Sequence, residues 1–283
     1  MKKISAYIYE KLKINKNSEG AYIRYYPKTK DELIANIKEV IKEHGPDANL
    51  NYIDVSGITD MSDLFRNINI GNVNISEWDV SHVTNMSCMF IGRKNFNSDL
   101  SKWDVSNVTS MHAMFVGCEE FNSDLSSWNV SNVESMYDMF GGCYKFNCDL
   151  SSWDVSNVQN MGYMFYRCYK FNSDLSKWNV SKVEMTGLMF YECYEFNSDL
   201  SKWDVSNVYN MESMFYECHK FNSDLSKWDV SWAHNMEWMF YNCRKFDCDL
   251  SKWNVKNSSR KRYSMFKGCD SLTKKPKWFA GKI

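Results

Sequence analysis

The chain has 283 residues, with 34 Lys and Arg against 35 Asp and Glu, a net charge of −1, and 44% hydrophobic residues. Near-neutral charge without a basic stripe argues against a nucleic-acid binder. No apolar run reaches the roughly 18 residues a membrane-spanning helix needs, and three Pro in so apolar a chain argue against disorder.

In chain order, residues 1–50 predict an N-terminal α(+β) cap. Ile4, Tyr7, Ile8 and Leu12 fall at helical spacing. A loop over Asn15–Gly20 leads to a short strand over Tyr22–Tyr26. An amphipathic helix follows over 30–44, with Thr29 and Glu32 as a capping box and Gly45-Pro46 as its stop.

Residues 51–270 are an array. A Trp recurs every 25 residues at Trp78, Trp103, Trp128, Trp153, Trp178, Trp203, Trp228 and Trp253. A fixed period of this size means a solenoid whose coils bury their apolar sides against neighbours. Ile53-Asp54-Val55-Ser56 aligns with Trp78-Asp79-Val80-Ser81, so a degenerate coil precedes the first Trp, giving about nine coils. Near Asn257–Arg262 the last coil gains one residue, and residues 271–283 are expected to form a C-terminal cap, with Trp278 and Phe279 folded back.

Within a coil, Trp103 and Val105 alternate with Lys102 and Asp104, which predicts a short inward-facing strand. Val108, Met111, Met114, Phe115 and Cys118 are three or four apart, which predicts a short helix with Thr109 as its cap. The expected fold is therefore a right-handed α/β solenoid of short parallel strands and short helices. Cys118, Cys143, Cys168, Cys193, Cys218 and Cys243 share one repeat position, and Cys269 follows one residue late. Such a row reads as a buried thiol ladder. No C-x2-C pair offers a zinc site.

The recurring pattern FNxDLSxWDVSNVTNMxxMFxxC, over residues 51–270, resembles the 25-residue repeat of the BspA-like leucine-rich-repeat family. Such repeats occur in mycoplasma lipoproteins, gut-bacterial surface proteins and phage proteins. The resemblance implies a leucine-rich-repeat-like coil, a binding role and no catalysis. Surface members carry a signal or lipobox, and none is seen here, so the expected location is cytoplasmic or virion-associated.

Two polar rows are generated by the repeat. The outward Asp54, Asp79, Asp104, Asn129, Asp154, Asn179, Asp204, Asp229 and Asn254 could repel, be neutralised by Lys, or hold cations. The Asn-Ser-Asp returns read as turn-forming side chains. Between copies, the variable positions mark the surface. Tyr144, Tyr166, Tyr169, Tyr191, Tyr194, Tyr216, Tyr241 and Trp238 are the candidate partner contacts, read as an exposed row; the alternative is half-buried Tyr that cover the gaps between helices. The five His share no register, and no phosphate loop or dinucleotide fingerprint occurs, so neither enzyme activity nor a cofactor is expected. The expected function is a non-catalytic scaffold for a protein partner, encoded by a phage or gut bacterium. A surface adhesin for host protein or glycan and a self-assembling structural component are the alternatives.

Overall fold

The computed structural model describes residues 25–258 and 262–279. The amphipathic segment expected near residue 8 and most of the expected strand lie outside them. Tyr25 pairs in parallel with Ile53 at a single-residue bridge.

Helix α1 spans Lys30–His44. Its N-cap Thr29 accepts the Glu32 N–H at 3.2 Å, while the Glu32 carboxylate accepts the Lys28 N–H at 2.6 Å. Gly45 ends it with φ +85 and donates its N–H to the Ile41 carbonyl. Leu33, Ile37 and Val40 are buried, joining the array's core, and Lys30 Nζ reaches Asp60 Oδ2 at 3.1 Å and Ser62 Oγ at 2.8 Å. α1 is the only α-helix among the described residues.

The remainder is a repeat solenoid, but its coils are not built of strands and helices. The N–H groups of Met111, Ala113, Phe115 and Gly117 donate to the carbonyls of Ser135, Tyr137, Met139 and Gly141 in the next coil, at 2.7–3.1 Å. Met136, Asp138, Phe140 and Gly142 repeat this against Asn160, Gly162, Met164 and Tyr166. Intervening residues bond within their own coil, as Met114 N–H does to the Met111 carbonyl. Each such segment is a string of tight turns whose alternate donors form a parallel ladder. Single-residue parallel bridges at Asn85, Ser110, Ser135 and Asn160 open it.

This corrects both predicted elements. The inter-coil backbone ladder lies at Met-x-x-Met-Phe, where three- and four-residue spacing suggested a helix. Trp103 and Val105 do face inward, but their segment pairs with no neighbour: Trp103 N–H turns back to Leu100 and Val108 N–H to Val105. Alternating burial reports which side chains point in, not where backbone donors go. The side chain of Asp104 takes the Ser106 N–H at 3.0 Å, and Asp99 takes that of Ser101 at 2.9 Å. These local bonds satisfy donors a strand would have offered sideways. Thr109 caps no helix, because its N–H bonds the Thr84 carbonyl.

Side chains lock the coils together. Each of the nine indoles in the 25-residue register donates its Nε1–H to a Leu or Ile carbonyl 28 residues back, from Trp78 to Leu50 through Trp278 to Leu250, at 2.9–3.1 Å. Adjacent rings stack with centroids 6.4–6.5 Å apart, as in Trp103–Trp128 and Trp228–Trp253. The thiols of Cys118, Cys143, Cys168, Cys193, Cys218, Cys243 and Cys269 likewise donate to a Phe carbonyl of the preceding coil at 2.8–3.1 Å. Complete burial pushes Cys143, Cys168, Cys193, Cys218 and Cys243 far above the usual thiol range. The cysteines are free. Asn97, Asn122, Asn147, Asn172 and Asn197 form a third column, each side-chain carbonyl accepting the N–H of its successor.

At the C-terminal end Trp278 does not fold back. It stands 25 residues after Trp253, stacks on it at 6.4 Å with 4° between planes, and continues the indole ladder. A 3-10 turn over Lys256–Ser258 accompanies the extra residue. Cys269 therefore follows Cys243 by 26 residues, and the shorter return to Trp278 restores the register.

Candidate interaction face

The turn ladder fixes the two residues between Phe and Cys and the one after Cys on the coil's surface. In four successive coils the first of these is Tyr166, Tyr191, Tyr216 and Tyr241. Their rings stack face to face at 5.0, 4.5 and 4.6 Å. Lys267 Nζ closes this column 5.5 Å over Tyr241. At the other end Tyr163, Tyr137 and His112 extend it with centroids 5.3–5.6 Å apart. The position after Cys builds a second column: Tyr144, Tyr169, Tyr194 and His219, at 4.9–5.1 Å.

Between the columns runs a polar strip. Arg167, Glu192, Glu217 and Asn242 have φ of +58, +57, +59 and +55, while Gly92, Gly117, Gly142 and Gly268 fill the same position elsewhere. Arg167 Nε lies 3.2 Å from Glu192 Oε2, without the alignment of a hydrogen bond. Glu217 accepts from Asn242 Nδ2 at 2.6 Å and lies 2.6 Å from His219 Nε2. The Tyr194 hydroxyl donates to Glu192 at 3.4 Å. The Arg167 guanidinium also lies 5.1 Å over the Tyr166 ring, so the strip touches both columns.

The tyrosines are half-buried rather than exposed. Stacking covers their ring faces, so solvent meets mainly edges. Burial, with neighbouring phenols and Glu192, pushes Tyr191 well above the usual phenol range, and burial with Glu192 raises Tyr194 to about 12. Both stay neutral at physiological pH.

The structure brings seven of the eight candidate contacts into the two columns. Trp238 belongs to neither; it is half-buried at the coil's other left-handed position, and its N–H bonds the Tyr263 carbonyl. His112, Tyr137, Tyr163 and His219 stand at variable positions legible in the sequence but were not among the candidate contacts, and the polar strip was missed altogether. The strip had a signal: the glycine before Cys gives way to Arg, Glu, Glu and Asn in the same four coils that gain a Tyr beside it.

The outward Asp and Asn row serves turns. Asp79, Asp154 and Asp229 each accept the N–H of the Ser two residues on, at 2.9–3.1 Å. Hydrogen bonds from Ser106, Ser156 and Ser231 hold Asp104, Asp154 and Asp229 below the usual carboxylate range. No group of three His, Cys, Asp or Glu among the described residues is arranged for a metal ion. No helix among them is long and apolar enough to cross a membrane.

A family described as "Mycoplasma protein of unknown function, DUF285" matches this repeat three times, over residues 35–143, 100–198 and 174–279. The chain belongs to this family. No curated protein matches it. Among solved structures it is similar to the functional domain of InlJ from Listeria monocytogenes, described as including a cysteine ladder. That similarity is 14% identity over 78% of this chain, with a TM-score of 0.22. The chain spans about half, 51%, of the InlJ domain's length. The successive DUF285 matches overlap, as expected when one profile slides along identical coils, and they include α1 from residue 35 onward.

Proposed function

We propose that this DUF285 chain is a non-catalytic protein-interaction scaffold of the BspA-like, right-handed leucine-rich-repeat kind, and that a protein partner docks on the two tyrosine columns and their polar strip. One observation carries the reading. Every coil with a Tyr after the Phe also replaces the left-handed glycine with Arg, Glu or Asn. A side chain in that backbone region costs about 1 kcal/mol relative to glycine. Four such residues in four consecutive coils, beside aromatic columns that place them in register, suit a preformed contact surface in which aromatic and Arg side chains supply anchors.

The test uses the full chain as bait in lysate of its source cells, beside a variant with Arg167→Gly, Glu192→Gly, Glu217→Gly and Asn242→Gly. Relief of backbone strain roughly offsets the unfolded-state entropy of glycine, so the variant folds with near-unchanged stability. The reading expects one protein retained in stoichiometric amount by the natural chain and lost by the variant. Equal retention by both would sink it. A defined oligomer without a partner, seen by light scattering, would favour a self-assembling structural role.

A further inference from the structure

A second row of surface positions, separate from the tyrosine columns, forms a shallow groove. One wall is the residue after the coil's Ser: Asn107, Asn132, Asn157, Lys182, Asn207 and Trp232. The other lies two residues further on, from Thr109 through Glu134, Gln159 and Glu184 to Tyr209. Gln159 and Lys182 line both halves, so the groove is continuous, and its larger half is an open depression of about 630 Å³.

Its floor is rigid. The N–H groups of Glu134, Gln159, Glu184 and Tyr209 each bond the carbonyl of the equivalent residue one coil back, at 2.8–3.0 Å. The wall asparagines are pinned by their amides: Asn132 and Asn207 donate Nδ2–H to the carbonyls of Ser106 and Ser181 at 2.7 Å. Their side-chain carbonyls stay oriented as acceptors, and that of Asn157 already takes the Lys182 ammonium at 2.7 Å.

The repeat is broken where packing gains nothing. Trp232 stands where an asparagine would make the same bond, and it is 54% exposed; Tyr209 beside it is 37% exposed. Four large hydrophobic side chains are exposed among the described residues, and two of them share this one groove, where clustering rather than single exposure carries meaning. Around them are the Glu184 carboxylate, the Gln159 and Asn207 amides and the Lys182 ammonium. Flat aromatic surface beside planar two-oxygen and amide groups is the chemistry that recognises a sugar ring. The apolar C–H face packs on the ring, and the hydroxyls exchange hydrogen bonds with Glu, Gln and Asn.

We propose that this groove binds an extended, neutral oligosaccharide, with Trp232 and Tyr209 as stacking platforms and Gln159 and Glu184 as hydroxyl partners. The test is calorimetric titration of the full chain with cellohexaose, xylohexaose, mannohexaose and chitohexaose, with hexalysine as the competing cationic ligand. The informative variant is Trp232→Asn, which restores the repeat's own residue and so preserves folding; Tyr209→Thr is its companion. The expected result is binding of at least one hexasaccharide, weakened at least tenfold by either substitution, at unchanged melting temperature. Failure of all four sugars to bind, binding that both variants retain, or preference for hexalysine would each overturn the proposal. The four-glycine variant leaves this groove intact, so the two sites are scored independently.

Discussion

Removing one indole from the middle of the array tests the account of what joins the coils. Trp178 is 3% exposed, stacks on Trp203 at 6.4 Å, and donates its indole N–H to the Leu150 carbonyl at 3.0 Å. Trp178→Ala opens a cavity between two coils, for which the expected cost is about 3–5 kcal/mol. Trp178→Phe keeps most of the volume but leaves a buried carbonyl without its donor, which costs about 1–3 kcal/mol. Trp278→Ala removes the same contacts from the end of the ladder, where the ring is only partly buried, and should cost less. Urea unfolding followed by circular dichroism gives the three values. Hydrogen exchange locates the damage: coupling is between nearest neighbours, so amides of the ladders flanking residue 178 should lose protection first. The reasoning fails if Trp178→Ala costs under about 1 kcal/mol, or if central and terminal substitutions cost the same.

Two further outcomes follow from burial. Asp138 is half-buried in a left-handed turn at φ +56, its Oδ1 occupying the space a side chain on Gly141 would need, and burial pushes its carboxyl up to about 7. Its folded value lies above its unfolded one, so the native state holds the proton longer. Stability therefore falls as pH rises from about 4 to 7. Asp138→Asn should stabilise the protein at pH 8, by at most about 4 kcal/mol from three pH units at about 1.4 kcal/mol each, and leave it unchanged at pH 4; denaturation at both pH values decides. For the thiols, iodoacetamide at pH 8 should modify the half-buried Cys88 first and spare the seven ladder cysteines, whereas all ten should react in urea, as mass spectrometry would count.

The period and the inward side chains were legible because burial constrains residue type directly. Trp103, Val105, Met111, Phe115 and Cys118 all point where their spacing placed them. The backbone was not legible. A string of turns with left-handed residues at Ala113 and Gly117 leaves the same apolar spacing as one helix face, and only the donors' destinations distinguish them. Trp278 was misread because the inserted residue near 257 hid that the register returns by 278. The tyrosines were found because aromatics at variable positions stand out. The strip between them was missed because Gly-to-Glu exchange looks like ordinary surface drift until φ is known. Trp232 was visible as a departure from Asn, but only the open groove around it gives that departure a meaning.

The joints themselves carry a consequence for how such proteins change over generations. Each one repeats the same bonds: indole to carbonyl, thiol to carbonyl, amide to amide, and four backbone donors to the next turn. In these shared bonds nothing at a central joint records its place in the row; only surface pairs such as Arg167 with Glu192 and Asn242 with Glu217 do. A block of 25 residues can therefore be duplicated or excised in frame without leaving a mismatched seam, whereas a block of 24 would misalign every column at once. The tyrosine columns and the groove would lengthen or shorten in steps of one coil.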